Sequence, residues 1–296
     1  MEIHQLHYVV EVAKHQHFTR AAEEICVSQS TLSQQITKLE GELQVKLFNR
    51  TTRVVRPTSA GHEFILYAKR ILSEIERAKQ CMQEYVGLSR GKVKIGAINS
   101  IGDTNLPSLI VSFQKIYPGL NLSIVEEGSY KLLEMLETSE IDLAILTPPL
   151  DRNIKDVIDT YPLIDDELVL IMAKDHHLAN KEKCDLKDVA SEKFIFPSRN
   201  HSAFNVAFEA CRDAGFEPEI VCESSHLYAR FSFVSQGMGV ALVSSKVVNS
   251  SIKNSISVIR LTKAIKKPTV VALLKHPHHS PPVIAFRDFV LNSVHI

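Results

Sequence analysis

Between Gln29 and Lys38 the chain concentrates side chains that both donate and accept hydrogen bonds: Gln29, Ser30, Thr31, Ser33, Gln34 and Thr37, with Lys38 closing the run. Short hydroxyls and carboxamides suit the edges of base pairs in a major groove, where the donor and acceptor pattern differs from base to base. Leu32, Ile36, Leu39 and Leu43 recur at helical intervals, so the spacing predicts an amphipathic helix with one buried stripe. Ser and Thr are weak helix formers, and a merely solvated face is richer in Glu and Lys, so this polar face calls for a function. Further on, Lys46, Arg50, Arg53 and Arg56 fall between Glu42 and Glu63 with no acid among them. Beside a hydrogen-bonding helix, such a basic run fits contact with phosphates, which hold a protein in register on a duplex.

The elements that must position these groups follow from local signals. Ile3, Leu6, Val10 and Ala13 predict a first helix with an apolar stripe, and Thr19 an N-cap for a helix over 20–25. The small pair Ala21 and Ala22 permits close approach to the next helix, which Ser28 caps after a very short turn. Two helices joined this tightly match a helix-turn-helix. Residues 47–58 predict a hairpin, and residues 59–88 one long helix. Along it Phe64, Ala68, Ile71, Ile75, Ala78, Met82 and Tyr85 follow a 4, 3, 4, 3 spacing, a heptad seam that calls for a partner helix. Gly87, Ser89 and Gly91 then break the pattern. From Lys92 onward, strands over 93–98, 120–126, 141–146, 167–173, 194–196, 220–223, 239–243 and 269–275 alternate with helices over 106–117, 129–137, 203–214 and 227–236, and a last helix starts at Pro282. That alternation predicts parallel α/β layers.

Composition bounds the function classes. In 296 residues, Lys plus Arg equal Asp plus Glu at 34 each, so a globally basic nucleic-acid binder is excluded and any DNA-facing charge is local. The apolar runs are too short to span a bilayer, and the N-terminus lacks the pattern of a signal peptide, so a cytoplasmic protein is expected. The cysteines, Cys26, Cys81, Cys184, Cys211 and Cys222, are scattered, odd in number and form no CxxC, which argues against structural zinc and a disulfide frame. Reduced thiols are expected, with a thiol sensor using Cys211 and Cys222 as the alternative. The chain has no HExxH or Walker loop, so an enzyme is disfavoured and neither cofactor nor metal is expected; His276-Pro-His-His279 is a weak metal candidate.

The segments Phe18-Thr-Arg-Ala-Ala-Glu-Glu24, Val27-Ser-Gln-Ser-Thr-Leu-Ser-Gln-Gln-Ile-Thr-Lys-Leu-Glu40, Leu47-Phe-Asn-Arg50 and Pro57-Thr-Ser-Ala-Gly61 resemble the LysR-type transcriptional regulators, and Gly237-Met-Gly-Val-Ala241 extends the likeness into the C-terminal region. The resemblance implies an α/β protein with a winged helix-turn-helix over 1–58 and a linker and dimerisation helix over 59–90. It also implies a periplasmic-binding-protein-like effector domain over 91–296, with lobe I formed by 91–160 and 268–296 and lobe II by 161–267. It further implies homodimers through the linker helix, assembled as homotetramers on double-stranded promoter DNA and answering a small-molecule effector. The base-facing role passes to Gln29, Ser30, Thr31, Ser33 and Gln34, and contact with phosphates or the minor groove to Arg50 and Arg53; beside the resemblance, the charge of Lys38 suits a phosphate contact that helps hold register. Two positions depart from the commoner pattern: Ser30 stands where many members carry Pro, and Gln34 where several carry Arg. Arg favours guanine whereas Gln pairs with adenine, so operator preference is expected to lean toward A·T steps.

A two-lobed domain of this kind implies a ligand between the lobes, at strand ends and helix starts. The candidates there are Asn99, Ser100, Ile101, Gly128, Ser129 and Thr147 in the first lobe. In the second they are Pro197, Ser198, Arg199, His201, Ser202, Ser225 and His226. Hydroxyls, amides and helix N-termini converging on one cleft favour a small anion, with Arg199 and His226 as charge partners for a carboxylate. Residues 145–150 together with 211–218 look most like the family branch that answers small organic acids.

Overall fold

The computed structural model describes residues 1–50, 55–84, 91–99, 102, 105–149, 153–275 and 279–293. The chain divides into two compact units, Met1–Val86 with Glu137–Glu140, and Gly87–Leu136 with Ile141–Ile296.

The first unit opens with three helices, α1 (Ile3–His15), α2 (Phe18–Glu24) and α3 (Gln29–Leu43), followed by a two-stranded antiparallel wing of β1 (Phe48–Arg50) and β2 (Val55–Pro57) and the long helix α4 (Ser59–Glu84). Leu32, Ile36 and Leu39 are fully buried among Val9, Val12, Phe18, Ala21, Ala22, Leu47 and Phe48, as the stripe on α3 requires. Two expectations change here. On α1 the buried stripe is Gln5, Leu6, Val9 and Val12, whereas Ile3 is 58% exposed. With apolar residues at both 9 and 10, packing against α3 selects the row through Val9; Gln5 is carried inside because its Nε2 donates to Gln35 Oε1 at 3.1 Å. The cap of α2 is His17, whose Nδ1 accepts the Thr19 N–H at 3.2 Å, so the helix begins at Phe18 rather than after Thr19.

The second unit holds two sheets. One has the order β4-β3-β5-β13-β6, from β3 (Gly91–Ala97), β4 (Leu120–Glu126), β5 (Leu143–Leu146), β6 (Ile158–Ile164) and β13 (Thr269–Leu274). Around it lie α5 (Leu106–Ile116), α6 (Ser129–Glu137) and α10 (Pro281–Ser293). The other has the order β11-β7-β12-β8, from β7 (Leu168–Ala173), β8 (Lys183–Cys184), β11 (Ala241–Ser244) and β12 (Ile256–Leu261). Beside it β9 (Lys193–Phe196) pairs in parallel with β10 (Glu219–Glu223), and a bridge from Phe194 to Val240 joins this pair to the sheet. Helices α7 (Ser202–Asp213), α8 (Leu227–Ser235) and α9 (Ser250–Ser255) complete the lobe.

The sheets are mixed rather than purely parallel. Strand β13 runs antiparallel to both β5 and β6, and β11 and β12 run antiparallel to β7. Strand β6 is not expected from the sequence, because Tyr161-Pro162 reads as a break; it lies at a sheet edge, where a missing N–H is tolerated. The crossing between lobes therefore falls after Ile164 instead of at 161. Two chain segments make that crossing side by side: Lys267 N–H donates to Asp166 O at 2.8 Å and Leu168 N–H to Ile265 O at 2.9 Å. No helix among the described residues is long and apolar enough to cross a membrane.

Candidate nucleic-acid interface and effector cleft

The first turn of α3 is organised by its cap. Ser28 Oγ accepts the Thr31 N–H at 3.0 Å and lies 2.8 Å from Ser30 Oγ and 2.7 Å from Thr31 Oγ1. The hydroxyls of Ser30 and Thr31 thus start from a fixed geometry. Gln29, Ser30, Thr31, Gln34 and Lys38 are exposed on one face and Ser33 is half-buried; Lys38 Nζ lies 3.8 Å from the Glu2 carboxylate.

Glu40, at the far end of α3, is buried and carries no distinguishing signal in the sequence. Its Oε1 accepts the Leu47 N–H at 2.9 Å and the Phe48 N–H at 3.2 Å, while Lys46 Nζ reaches Oε2 at 3.0 Å. One carboxylate therefore fixes the start of the wing against the polar helix. The other end is fixed by Thr58, whose Oγ1 donates to Lys46 O at 2.7 Å and accepts the Gly61 N–H at 2.9 Å. A Cβ at position 61 would lie 2.0 Å from Leu47 O, so only glycine permits this approach. Arg56 is exposed on β2; Arg50 ends β1, and its side chain, like Arg53, lies outside the described residues.

In the second unit a cleft opens between the lobes. Of the residues expected there, Asn99, Ser129, Thr147, Pro197, His201, Ser202 and Ser225 line it, and Ser100 and Ile101 lie outside the described residues. Ser129 and Ser202, the first residues of α6 and α7, meet across the cleft with their Oγ atoms 2.9 Å apart, and Ser202 Oγ donates to Thr147 O at 2.9 Å. Asn205 Nδ2 adds a bond to Tyr130 Oη at 2.6 Å. Gly128 does not line the cleft: it sits where the lobes touch, and a Cβ there would come within 2.4 Å of Asn200 O. Two helix N-termini thus converge on one space, an arrangement that favours negative charge.

The charges that face this space differ from those expected. Arg199 turns outward to Glu223, Nε to Oε1 at 3.1 Å, and stacks over Phe204; His226 is an exposed N-cap of α8; and Ser198 spends its hydroxyl on Ser225 at 2.8 Å. Among the described residues the cations in the cleft wall are Arg230 and Lys267, 9% and 6% exposed. Burial pushes the Arg230 guanidinium down to about 10, and its Nε has no hydrogen-bond partner among the described residues. Burial also lowers Lys267, opposed by the nearby Asp166 carboxylate. Asp166 itself accepts the hydroxyls of Ser244 and of Ser245 (2.8 Å) and the Glu167 N–H (2.8 Å). Burial and the neighbouring Arg230 push the His201 imidazole down, with Glu127 acting the other way. Asn99 Oδ1 and Thr147 Oγ1, also in the cleft wall, are buried without partners among the described residues. The sequence does carry one signal for Arg230: it shares the stripe of Leu227, Phe231 and Val234 on α8, an apolar face where a cation is out of place.

The thiols stand apart from this site. Cys211 is fully buried in the core of the second lobe, and burial pushes it up to about 12; Cys184 is likewise buried and raised. Cys222 packs against a different apolar cluster, and Cys26, Cys184, Cys211 and Cys222 are all free. His276 and His278 lie outside the described residues. Among those described, His176, His177 and Glu192 bring possible ligand atoms within 4.8 Å of one another. The Leu178 N–H donates to His176 Nδ1 at 3.2 Å, which leaves the proton of the neutral ring on Nε2, facing Glu192 at 3.5 Å. His176 Nε2 is buried beside that carboxylate and has no hydrogen-bond partner among the described residues.

A winged helix-turn-helix joined to a two-lobed domain with a polar cleft defines a ligand-responsive DNA-binding regulator. Comparison with known proteins gives the family. Residues 3–62 match the bacterial regulatory helix-turn-helix protein, lysR family, and residues 87–294 the LysR substrate binding domain. The transcriptional dual regulator GltC of Bacillus subtilis is 32% identical over 98% of this chain and 97% of its own. A full-length OxyR variant from Pseudomonas aeruginosa superposes with a TM-score of 0.72 at 27% identity, covering 100% of this chain and 95% of that one. The effector-binding domain of QuiR in complex with shikimate gives 0.64 at 25% identity, over 70% and 98%. The chain belongs to the LysR family of bacterial transcriptional regulators; it is a DNA-binding transcription factor with an effector-binding domain, and not an enzyme.

Proposed function

We propose that this regulator reads promoter DNA with Gln29, Ser30, Thr31, Ser33 and Gln34, holds phosphates with Lys38, Arg50 and Arg53, and answers a small organic acid bound between its lobes. The observation that carries the effector reading is Arg230: a buried guanidinium in the cleft wall whose Nε has no partner among the described residues. An isolated buried charge is costly, so a site that keeps one is arranged for an anion. The two helix N-termini at Ser129 and Ser202 support the same sign. Shikimate, held by QuiR, is itself a carboxylic acid.

The chain acts in the cytoplasm as a homodimer through α4, paired into a homotetramer on DNA. The support for dimerisation is the heptad seam, on which Ile71 and Met82 are exposed in the single chain. An acid between the lobes changes their angle and thereby the spacing of the DNA-binding pairs, while each recognition helix keeps its affinity. Footprinting the full chain on its own upstream region, with and without candidate acids, tests this reading. The footprint should change in length or in its bend-induced cleavage pattern; an acid that alters affinity for a single half-site instead would refute the mechanism. Gln34→Ala should relax preference at one or two base positions, and a uniform loss over all sequences would contradict the base-reading role. Sensing through Cys211 has no support from its buried, raised thiol.

A further inference from the structure

We propose that the cleft selects a hydroxylated monocarboxylate: a ligand with one negative charge held between Arg230 and Lys267, and a hydroxyl at its other end held by Asn99 and Thr147. The inference rests on reading the cleft as the effector site and adds to it the charge and the polarity of the ligand.

The charge follows from counting what faces the cavity. Lys267, on the second crossing segment, and Arg230, on α8, are the buried cations of the wall. Asp166, on the first crossing segment, is 5% exposed and is the buried carboxylate beside Lys267. Its oxygens accept hydrogen bonds from the Ser244 and Ser245 hydroxyls and from the Glu167 N–H, which hold it in place. Lys267 is therefore offset, and Arg230 has no carboxylate within ion-pair distance among the described residues. His201, from the loop before α7, is held neutral by burial and by Arg230, and Glu127, ahead of α6, counters that effect. Among the described residues the balance inside the wall is one positive charge. A single carboxylate cancels it, whereas a dicarboxylate would leave a buried negative charge without a partner, and a neutral amide would leave the guanidinium as it is.

The other end of the ligand follows from the polar atoms left over. Asn99 Oδ1 accepts only, and Thr147 Oγ1 donates or accepts; both are buried without partners among the described residues. A hydroxyl meets both, because it donates to the amide oxygen and exchanges a hydrogen bond with the threonine. An ammonium would also donate, but it would restore the positive charge that the carboxylate has just cancelled. The rest of the lining includes Ile98, Leu168, Leu227, Leu242, Val243 and Val247, apolar surface that suits a compact hydrocarbon body.

The test is a set of matched compounds titrated into the full chain, with binding followed by thermal shift and calorimetry at millimolar concentration. Lactate, shikimate and 3-hydroxybenzoate are each compared with the corresponding amide and with a related hydroxylated dicarboxylate; benzoate serves as the compound lacking the hydroxyl. Binding should be confined to the monoacids, with benzoate on the order of 10-fold weaker than 3-hydroxybenzoate wherever the latter binds. Arg230→Gln should weaken the monoacids on the order of 100-fold. The pattern across the wild-type set stands without the variant, should that fail to fold. A diacid or amide that binds better than its monoacid overturns the charge count while leaving an organic-acid effector intact. Binding of monoacids that survives in Arg230→Gln overturns the assignment of the charge to Arg230. Failure of every acid to bind sinks this inference together with the organic-acid reading on which it rests.

Discussion

Replacing Arg230 by methionine should make the ligand-free protein more stable while removing its response to acids. Folding carries the guanidinium into a wall where it is 9% exposed, and burial pushes it down to about 10. At about 1.4 kcal/mol per pH unit, a depression of this size corresponds to a desolvation cost of roughly 3 kcal/mol. Methionine keeps most of the aliphatic volume beside Leu227 and Phe231, so imperfect repacking should cost no more than about 1.5 kcal/mol. The balance is a gain of roughly 1–3 kcal/mol, in line with other replacements of buried charge by apolar side chains. For a domain of about 200 residues this raises the melting temperature by roughly 3–9 °C. Scanning calorimetry of the full chain in a carboxylate-free, low-salt buffer reads the effector-domain transition directly. The same variant should show no shift with an acid that stabilises the wild type. A variant destabilised by about 2–5 kcal/mol would refute the reasoning, because it would mean that the guanidinium is already compensated without a ligand.

Glu40→Ala removes the acceptor of the buried Leu47 and Phe48 N–H groups, so the DNA-binding unit should lose about 2–4 kcal/mol and its DNA affinity should fall, as chemical denaturation and gel shift would show. Gly128→Ala drives a methyl to 2.4 Å from Asn200 O, which should part the lobes, enlarge the radius of gyration in solution scattering and weaken any acid effector. The native His201 imidazole is pushed below the unfolded value of about 6.5, so the unfolded chain takes up that proton first; stability should be lost as pH falls below about 6.5. An anion in the cleft raises the native value again, so acid binding should take up a proton, measurable by calorimetry in two buffers of different ionisation heat. With its thiol at about 12, Cys211 should resist iodoacetamide at neutral pH until the protein unfolds, and rapid oxidation by peroxide in the native chain would contradict this.

How far the sequence reaches depends on how local each signal is. The cap at Ser28 and the stripe of Leu32, Ile36 and Leu39 are set within a few residues, and α3 follows from them. The serines at the starts of α6 and α7 are legible for the same reason, since a helix start after a strand is a local pattern. The charges of the cleft are not. Arg199 and His226 stand nearest the expected helix starts in sequence, but α7 begins at Ser202, and Arg199 swings to Glu223 and the ring of Phe204. Arg230 and Lys267 reach the cleft only through tertiary placement, one from a helix interior and one from a crossing segment that precedes a proline. Strand β6 escapes the sequence reading because Pro162 is disfavoured in a strand, and its edge position, invisible in the sequence, removes the objection.

The position of Lys267 gives the cleft a physical route to the angle between the lobes. The lobes are joined by segments that hydrogen-bond to each other through Asp166 and Lys267, and the same residues supply the buried carboxylate and one of the buried cations behind the cleft. Asp166 also gathers Ser244 and Ser245 at the end of β11, and the Ser245 N–H donates to Glu167 O at 2.8 Å, so the crossing is tied to the second lobe's sheet. An anion that draws on Lys267 weakens what Lys267 offers to Asp166, and the two arrangements of the crossing then differ in energy by the difference in those contacts. A ligand shifts a conformational equilibrium only by its differential interaction with the two states, and the proposed mechanism puts that difference at the crossing segments. Tight binding through Arg230 alone would fill the cleft without moving the lobes. On this argument Lys267→Met should retain acid binding in weakened form and lose the change in footprint, which separates occupancy of the site from its transmission to DNA.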